Sequence, residues 1–333
     1  MKVNNISFKT FKFVGVNSTE LEFESGDKNR AEILELKEFE NIDYGASKDI
    51  VLLNREHNDY YEIIKAEKGE KKVSEPLECS FNKEVINDWY DIVAEENSDM
   101  EVPIVVRGSD SNTHRNTVIR VLARKNSKVH LQLVRFDSDH HNSLESIAVV
   151  TEANADVQVS QVELSSGKLV TNYKTYIMGD ESKVDLDSIY FASGKGDMDL
   201  LYESNHFGKK SESNMIINGA LVGESSKKLK ATLDFKEGSS GSVGNEEEFT
   251  LLLSENVKGI SVPALLSHED DVEGNHAASA GKMDKELLFY IMSRGYSLKE
   301  AEKLVIESKF QGTIQHLPEV LADEALNYIE ELL

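Results

Sequence analysis

The chain has 333 residues, which is more than one compact core usually needs, so its length fits two domains or one elongated domain. It carries 37 basic and 60 acidic residues, and the resulting net charge of −23 would repel the phosphates of nucleic acids and of anionic membrane surfaces. The only cysteine, Cys79, excludes an intrachain disulfide and any zinc site built from thiols of this chain alone.

Residues 1–100 are predicted to form a small mixed α/β region, and they are the hardest part of the sequence to interpret. Apolar residues alternate as in a strand at Phe8, Phe11, Phe13 and Val14. The segment from Lys83 to Glu95 favours a helix around Trp89 and Tyr90.

Between residues 101 and 266 the sequence changes to short β-rich segments, and four of them share one pattern: apolar, x, apolar, x, x, apolar, x, apolar. The copies begin at Val129, Val157, Val184 and Met215, at intervals of 28, 27 and 31 residues. A stretch of turn-forming residues precedes each copy. The other apolar positions of the four copies are Leu131, Val134, Phe136, Val159, Val162, Leu164, Leu186, Ile189, Phe191, Ile217, Ala220 and Val222.

This spacing predicts a β-solenoid over residues 101–266. Apolar residues two apart lie on one face of a strand, and the extra residue before the second pair would permit a bend that turns this pair inward as well. A chain that bends once per turn coils, and each coil buries its apolar row against the next. A β-sandwich also alternates, but a constant repeat of about 28 residues disfavours it.

Residues 267–333 are predicted to form a helical module. Asp284 can cap a helix with the apolar residues Leu287, Leu288 and Ile291, and Gly295 stands where a glycine would end it. Ser297 and Glu300 form a capping box that opens a second helix. That helix carries Leu298, Ala301, Leu304 and Val305 on one face. A third helix begins near Pro318, with Leu321, Ala325, Ile329 and Leu332 as its apolar face.

The sequence lacks the common motifs of nucleotide binding and hydrolysis. It contains no Walker A pattern, no Gly-x-Ser-x-Gly and no HExxH, so any nucleotide would be bound by another chain. It also lacks a stretch of about 20 apolar residues, and its first ten residues lack the apolar part of a secretory signal. We therefore expect a soluble, cytoplasmic protein.

Three polar groups could carry chemistry. Asp137, Asp139, His140 and His141 could bind a divalent ion, or they form a polar turn between coils. Asp185 and Asp187 could act as the acid and base of a sugar-cleaving β-helix, or they are solvated surface residues. The densest group spans residues 268–276 and includes Asp270, Asp271, Glu273 and His276. It could be a metal site or an acidic loop with two incidental histidines.

The 60 residues after Leu251 contain a set of short motifs at characteristic spacings. They are Leu251 to Ser254, Val262 to Leu265, Asp271-Val272, His276-Ala277-Ala278, Gly281, Leu288-Phe289-Tyr290, Arg294-Gly295 and Ala301. In these motifs the chain resembles the SufB/SufD family of iron-sulfur cluster assembly proteins, and the resemblance covers roughly residues 101–333. A looser match includes His206, Ser211, Gly219 and Leu221.

The resemblance implies a right-handed parallel β-helix that serves as a non-enzymatic scaffold. Family members pair through their β-helices as a SufB–SufD heterodimer, and their C-terminal helices dock the ABC-type ATPase SufC. It further implies a transient iron-sulfur cluster at a subunit interface, with ATP bound only by the partner ATPase. From this resemblance we expect Leu288, Tyr290 and Arg294 either to contact that ATPase or to pack the helices together.

Carried over residue by residue, the resemblance leaves one main ligand. His276 stands at the histidine that is proposed to contribute to the interfacial cluster in both SufB and SufD. The glutamates that flank it in SufB are replaced by Asn275 and Ala277, and the scaffold cysteine of SufB falls at Val257. The cysteine that SufD has two residues before its histidine is Gly274 here. The chain thus resembles SufD and should not accept persulfide itself.

Two other functions stay open from the sequence. The chain could form a homodimeric scaffold that works with the ATPase alone, since identical β-helix ends can pair about a two-fold axis. It could also be a β-helix enzyme that cleaves acidic polysaccharides, although no export signal supports this.

Overall fold

The protein is described by a computed structural model that covers residues 1–333 except 9, 11, 30, 82, 109–112 and the side chain of Lys12. In this part of the chain the strands are β1 (Lys2–Val3), β2 (Thr19–Glu20), β3 (Tyr60–Ala66), β4 (Lys71–Val73), β5 (Leu77–Glu78), β6 (Val85–Ala94), β7 (Asp99–Arg107), β8 (His114–Ala123), β9 (Lys128–Asp137), β10 (Asn142–Thr151), β11 (Asp156–Ser165), β12 (Lys168–Ile177), β13 (Lys183–Ala192), β14 (Asp197–His206), β15 (Glu212–Leu221), β16 (Ser226–Phe235), β17 (Ser242–Leu252), β18 (Lys258–Ser267) and β19 (Val272–Gly281). The helices are α1 (Lys48–Glu56), α2 (Lys285–Met292), α3 (Leu298–Ile314) and α4 (Glu319–Leu332), with 3-10 turns at Lys12–Val14 and Lys37–Phe39.

From β3 onward the strands form two parallel sheets that face each other. The first sheet has the order β18-β16-β14-β12-β10-β8-β6-β3, and the second β19-β17-β15-β13-β11-β9-β7-β4, with β5 also paired to β7. Successive strands alternate between the sheets, so each coil adds one strand to each sheet. The predicted mainly-β solenoid is confirmed. Its strands run from Tyr60 to Gly281, so the predicted boundaries at residues 101 and 266 fall inside it.

The corners that lead from the first sheet to the second are stacked on one another. Asn97, Asn126 and Asn154 adopt φ of 61°, 57° and 55°, the left-handed region that asparagine tolerates better than most residues. In each corner the N–H of this asparagine donates to a carbonyl of the next coil, such as that of Ala153 for Asn126, at 3.0 Å. The corners thus satisfy their own backbone groups as the coils accumulate.

In each copy of the repeat, the first apolar pair faces the core between the sheets and the second pair faces outward. The prediction that a bend turns the second pair inward is wrong. β9 pairs with β11 residue by residue from Lys128 to Asp137 without a bulge. Val129 and Leu131 belong to the core between the sheets, whereas Val134 and Phe136 pack on the outside of the second sheet. Both faces of the strands that carry the repeat are covered, so the apolar positions shift phase within a straight strand.

Separate parts of the chain cover the two outer faces. Apolar residues of α3 and α4 pack on the second sheet, where the ring centroids of Phe136 and Tyr328 lie 5.3 Å apart. The N-terminal segment packs on the first sheet, where Ile50 of α1 and Leu144 of β10 belong to one hydrophobic cluster. A polar anchor holds its beginning, because the buried Asn4 side chain donates to the carbonyl of Thr171 at 2.9 Å.

The structure corrects two predictions in the N-terminal region. The segment predicted as a helix is strand β6, in which every residue is buried. Trp89 packs in an outer cluster with Val118, and Tyr90 packs in the core between the sheets, so apolar residues on both faces obscured the alternation. The predicted strand contains the 3-10 turn Lys12–Val14 instead, and Phe11 lies outside the described residues.

The three predicted C-terminal helices are confirmed, but residues 272–281 of the predicted helical module form β19, and Leu298 and Leu304 of the predicted apolar face of α3 are exposed. The Oδ1 of Asp284 accepts the N–H of Glu286 at 2.8 Å and so begins α2. Ser297 and Glu300 form the predicted capping box of α3. Gly295 adopts a φ of 102° in the link between these helices.

Candidate functional site at the open end of the β-helix

The last coil leaves one end of the β-helix uncovered. β18 and β19 are the terminal strands of their sheets, and no described strand pairs with their outer edges. Most residues of β19 are exposed, including Ala277 and Ala278. An exposed strand edge of this kind is a template for pairing with another chain.

His276 lies on the inner face of this last coil. It is in register with Glu246 of β17, which is in register with Met215 of β15. Met215 belongs to the core between the sheets, and partners in a parallel ladder lie on the same face. The exposed imidazole of His276 is therefore the outermost member of an interior row.

The interior of the coils beneath His276 contains charged residues. Lys227, Glu246 and Glu248 are all buried, and the ammonium group of Lys227 donates to the Oε1 of Glu248. Lys227 also donates to the hydroxyl of Ser261 at 3.0 Å, and Glu248 accepts from Tyr190 at 3.2 Å. The Oε2 atoms of Glu246 and Glu248 have no hydrogen-bond partner among the described residues.

Burial controls the protonation of these groups. It raises the pKa of Glu246 to about 7, with a further increase from the charge of Glu248 and an opposing effect from Lys227. It also lowers the pKa of Lys227, which the neighbouring Glu248 partly counteracts. The Glu246 carboxyl can therefore take up or release a proton near neutral pH.

The acidic residues predicted near His276 do not converge on it. Asp271 lies in the corner before β19, and its Oδ2 accepts from the hydroxyl of Ser240 at 2.8 Å. Asp270 is exposed in the same corner, and Glu273 lies on the face of β19 opposite His276. No group of three or more histidine, cysteine or acidic residues that could hold a metal ion occurs among the described residues.

In the other two polar groups that the sequence singled out, several side chains form hydrogen bonds with neighbouring residues. His141 is buried, and its Nδ1 accepts the N–H of Ser138 at 2.8 Å. Asp185 accepts from the amide of Asn214 at 2.7 Å, and Asp187 accepts from that of Gln158 at 3.3 Å. The Asp185 contact begins a ladder of side-chain amides that continues through Asn245 to Asn275 on the outer face.

A second exposed feature is the surface of α2. Phe289 is 73% exposed, and Leu287, Tyr290 and Met292 are also exposed, whereas Leu288 packs partly against the helical core. The guanidinium of Arg294 donates to the hydroxyl of Tyr290 at 2.9 Å and lies over its ring. Apolar side chains grouped on one exposed helix are typical of an interaction surface.

Comparison with known proteins gives the family of this chain. The family model described as "SUF system FeS cluster assembly, SufBD core domain" matches residues 80–309. The chain belongs to the SufBD family. It is therefore an iron-sulfur cluster assembly protein of that family.

Three curated relatives show how far the similarity reaches. The chain is 32% identical over 155 residues to the iron-sulfur cluster assembly protein SufD of Bacillus subtilis, over 46% of this chain and 36% of that protein. It is 25% identical over 186 residues to a SufBD family protein of Galdieria sulphuraria, over 56% of this chain and 84% of that protein. It is 26% identical over 189 residues to a SufBD family protein of Pyrococcus horikoshii, over 53% of this chain and 39% of that protein. The alignments thus span little more than a third of the Bacillus and Pyrococcus proteins.

The cysteine of this SufBD protein lies far from the open end in the fold. Cys79 packs in the core near the first coils, and burial followed by the charge of Asp88 raises the pKa of its thiol. A buried, protonated thiol is a poor nucleophile. No described helix of this SufBD protein is both long and apolar enough to cross a membrane.

Sequence reasoning found His276 but missed the buried charges of the SufBD protein beneath it. Glu246 precedes His276 by about one coil, so the repeat itself could have placed the two side by side. The run Glu246-Glu247-Glu248 was a further signal, because alternate residues of a strand face inward.

Proposed function

We propose that this protein is a non-catalytic scaffold subunit in iron-sulfur cluster assembly. In this proposal it pairs through the open end of its β-helix with a SufB-like chain and docks a SufC-like ABC ATPase through its C-terminal helices. A transient iron-sulfur cluster forms at the subunit interface as cargo, and ATP is bound by the ATPase alone.

The observation that carries the proposal is the uncovered last coil. The outer edges of β18 and β19 offer backbone N–H and C=O groups that no described strand pairs and to which a strand of another chain could bind. Small residues such as Ala277, Ala278 and Ala280 leave these edges accessible. His276 lies on this coil, so a ligand from this chain would stand at the interface itself.

The ATPase contact is supported by the surface of α2. Its exposed aromatic side chains would be costly to leave in water and would bury a large apolar area on docking. Phe289 and Tyr290 are the largest of them, and Arg294 adds a charged donor beside Tyr290. Leu288 supports this surface from below, where it packs against the helical core.

Sulfur chemistry belongs to the partner in this proposal. A thiolate is needed to carry persulfide, and Cys79 is buried in the fold, away from the last coil. This chain would supply the imidazole of His276 and the shape of the interface.

The pairing is tested by co-expression with the SufB-like and SufC-like proteins of its own organism. We expect a complex that contains all three chains. Ala278→Arg should remove the SufB-like chain but retain the ATPase, because a bulky charge then stands on the last coil. Val73→Arg is a matched control, since Val73 is 74% exposed on β4 at the other end of the same sheet. A chain that copurifies with neither protein would contradict the proposal.

The role of His276 is tested within that complex. His276→Ala should leave folding and assembly intact, because the side chain is exposed, but it should lower the cluster content several-fold. Iron and acid-labile sulfide per complex are the measurements. An unchanged cluster content would assign His276 to a structural role.

A further inference from the structure

We propose that Glu246 and His276 together form a half-site for a divalent cation at the open end of the β-helix. This inference rests on the proposed function for the identity of the ion, iron(II), but the site itself is argued from this chain alone. Glu246 lies on the neighbouring strand, outside the segment whose residues the sequence singled out.

The register brings the two side chains together. Glu246 and His276 are direct partners in the parallel ladder of β17 and β19, and neighbouring strands lie about 4.8 Å apart. Both side chains lie on the inner face. An imidazole and a carboxylate at this separation can bind the same ion, and this ligand pair suits iron(II), cobalt(II) and zinc.

The environment of Glu246 leaves one carboxylate oxygen available. The residue is 2% exposed, and its Oε2 has no hydrogen-bond partner among the described residues. A buried carboxylate without partners is costly, and a bound cation would satisfy it. His276 is exposed at the open end of the β-helix, so an ion can reach Glu246 from solvent past this side chain.

The neighbouring glutamates are less suited to the role. Glu248 is already paired with the ammonium of Lys227 and accepts from Tyr190 and Thr250. Glu247 is exposed on the opposite face of β17. Among the three consecutive glutamates, Glu246 is therefore the one that faces inward and forms no ion pair with a lysine of the described part of the chain.

The site is incomplete within one chain. Two ligands bind an ion weakly, and no larger ligand group is present among the described residues. The remaining ligands would have to come from the chain that covers the last coil. Metal binding by the half-site would thus be strengthened by assembly, as expected when a partner supplies further ligands.

The test uses the isolated chain and cobalt(II) as a spectroscopic substitute for iron(II). Proton NMR detects the hyperfine-shifted N–H of a cobalt-bound imidazole, and excess magnesium occupies the many surface carboxylates. We expect one such signal in the wild type and none in His276→Ala. Glu246→Gln should weaken cobalt binding about tenfold or more, whereas the matched variant Glu247→Gln should bind like the wild type. Circular dichroism checks that each variant is folded, and Glu246→Asp, which retains a carboxylate, should recover part of the binding if Glu246→Gln is unstable.

The outcomes separate this inference from the proposed function. A wild-type chain without the imidazole signal, or a Glu246→Gln chain that binds cobalt like the wild type, would overturn the half-site. Loss of binding in Glu246→Gln in a chain that nevertheless fails to associate with a SufB-like partner would support the half-site and contradict the proposed function.

Discussion

Lys227 and Glu248 form an ion pair that is almost completely shielded from solvent, with side-chain exposures of 0% and 1%. Removing one member of a buried pair leaves the other charge uncompensated. We expect Lys227→Met to lower the free energy of unfolding by about 3–5 kcal/mol, measured by urea denaturation. The double variant with Glu248→Leu should recover most of this loss.

Lys228 provides the control for this prediction. It is the next residue in β16, lies on the opposite face and is only partly buried. Lys228→Met should change the stability by less than about 0.5 kcal/mol. Equal stability of the wild type and Lys227→Met would show that the pair contributes little.

Glu163 makes the stability depend on pH. Burial, with the charge of Glu145 as the next cause, raises the pKa of Glu163 from 4.5 to about 8. At this carboxyl the folded state holds a proton that the unfolded state releases between about pH 5 and 8, so Glu163 contributes a stability that falls as the pH rises through this window. One proton corresponds to a slope of about 1.4 kcal/mol per pH unit.

Glu163→Gln should reduce this dependence in urea denaturation series at pH 5 to 9. Glu246, with a pKa of about 7, acts in the same direction, so part of the slope should remain. Glu237→Gln, at an exposed position, should retain the full slope. A stability that rises from pH 6.5 to 8 would contradict the assigned direction, because His130 and His206, whose pKa values burial lowers to about 4, oppose the slope only below about pH 6.5.

At the scale of elements, the C-terminal helices were predictable because their signals are local. Asp284, Ser297 and Glu300 lie next to the backbone groups that they cap, so a few neighbouring residues specify where each helix begins. The solenoid was predictable from its repeat. Which face each apolar pair covers was not, because α3 and α4 return to strands such as β11 from more than a hundred residues away.

The same reasoning explains what was found of the candidate site. His276 belongs to a recognisable local pattern, and a sequence motif is sufficient to locate it. Glu246 became visible through the pairing of β17 with β19, a non-local relation. Strand β6 was missed since Trp89 and Tyr90 are both buried on opposite faces, which removes the alternation that marks a half-exposed strand.

Two phenylalanines of the helical module should separate packing from docking. Phe310 of α3 is completely buried, so Phe310→Ala should lower the free energy of unfolding by about 3–5 kcal/mol. Phe289→Ala on α2 should leave stability unchanged and weaken copurification with the ATPase. Phe13→Ala is the matched control, since it also removes an exposed phenylalanine but lies in the N-terminal segment, where Phe13 is 87% exposed. It should change neither stability nor copurification with the ATPase. Retention of the ATPase by Phe289→Ala would place the docking surface elsewhere.

At the scale of the whole molecule, the β-helix is covered on its two outer faces and uncovered at its last coil. The N-terminal segment packs on the first sheet and the C-terminal helices pack on the second, so the outer faces of both sheets are shielded from solvent. Polar residues nevertheless continue through this core, for example in the buried pair of Arg135 and Glu145. The open end is where the interior of the β-helix reaches solvent.

Charge determines which partner this end should accept. Two copies of the chain would each carry a net charge of −23, and a two-fold contact between their last coils would gather the exposed Asp271 and Glu273 of both copies in one interface. Such repulsion is strong when the screening length is about 10 Å at 0.1 M salt and weak when it is about 3 Å at 1 M. We therefore expect the isolated chain to sediment as a 37.3 kDa monomer at 0.1 M salt and to self-associate, if at all, only at 1 M.

Sedimentation velocity at the two salt concentrations checks this expectation, with Ala278→Arg as the comparison. If self-association at high salt uses the last coil, the variant should remain monomeric there. Addition of the ATPase to the wild type at 0.1 M salt should give a complex that contains one copy of this chain. A stable dimer at 0.1 M salt that Ala278→Arg dissociates would instead favour a homodimeric scaffold, because attraction at the open end would then outweigh the repulsion between two acidic copies.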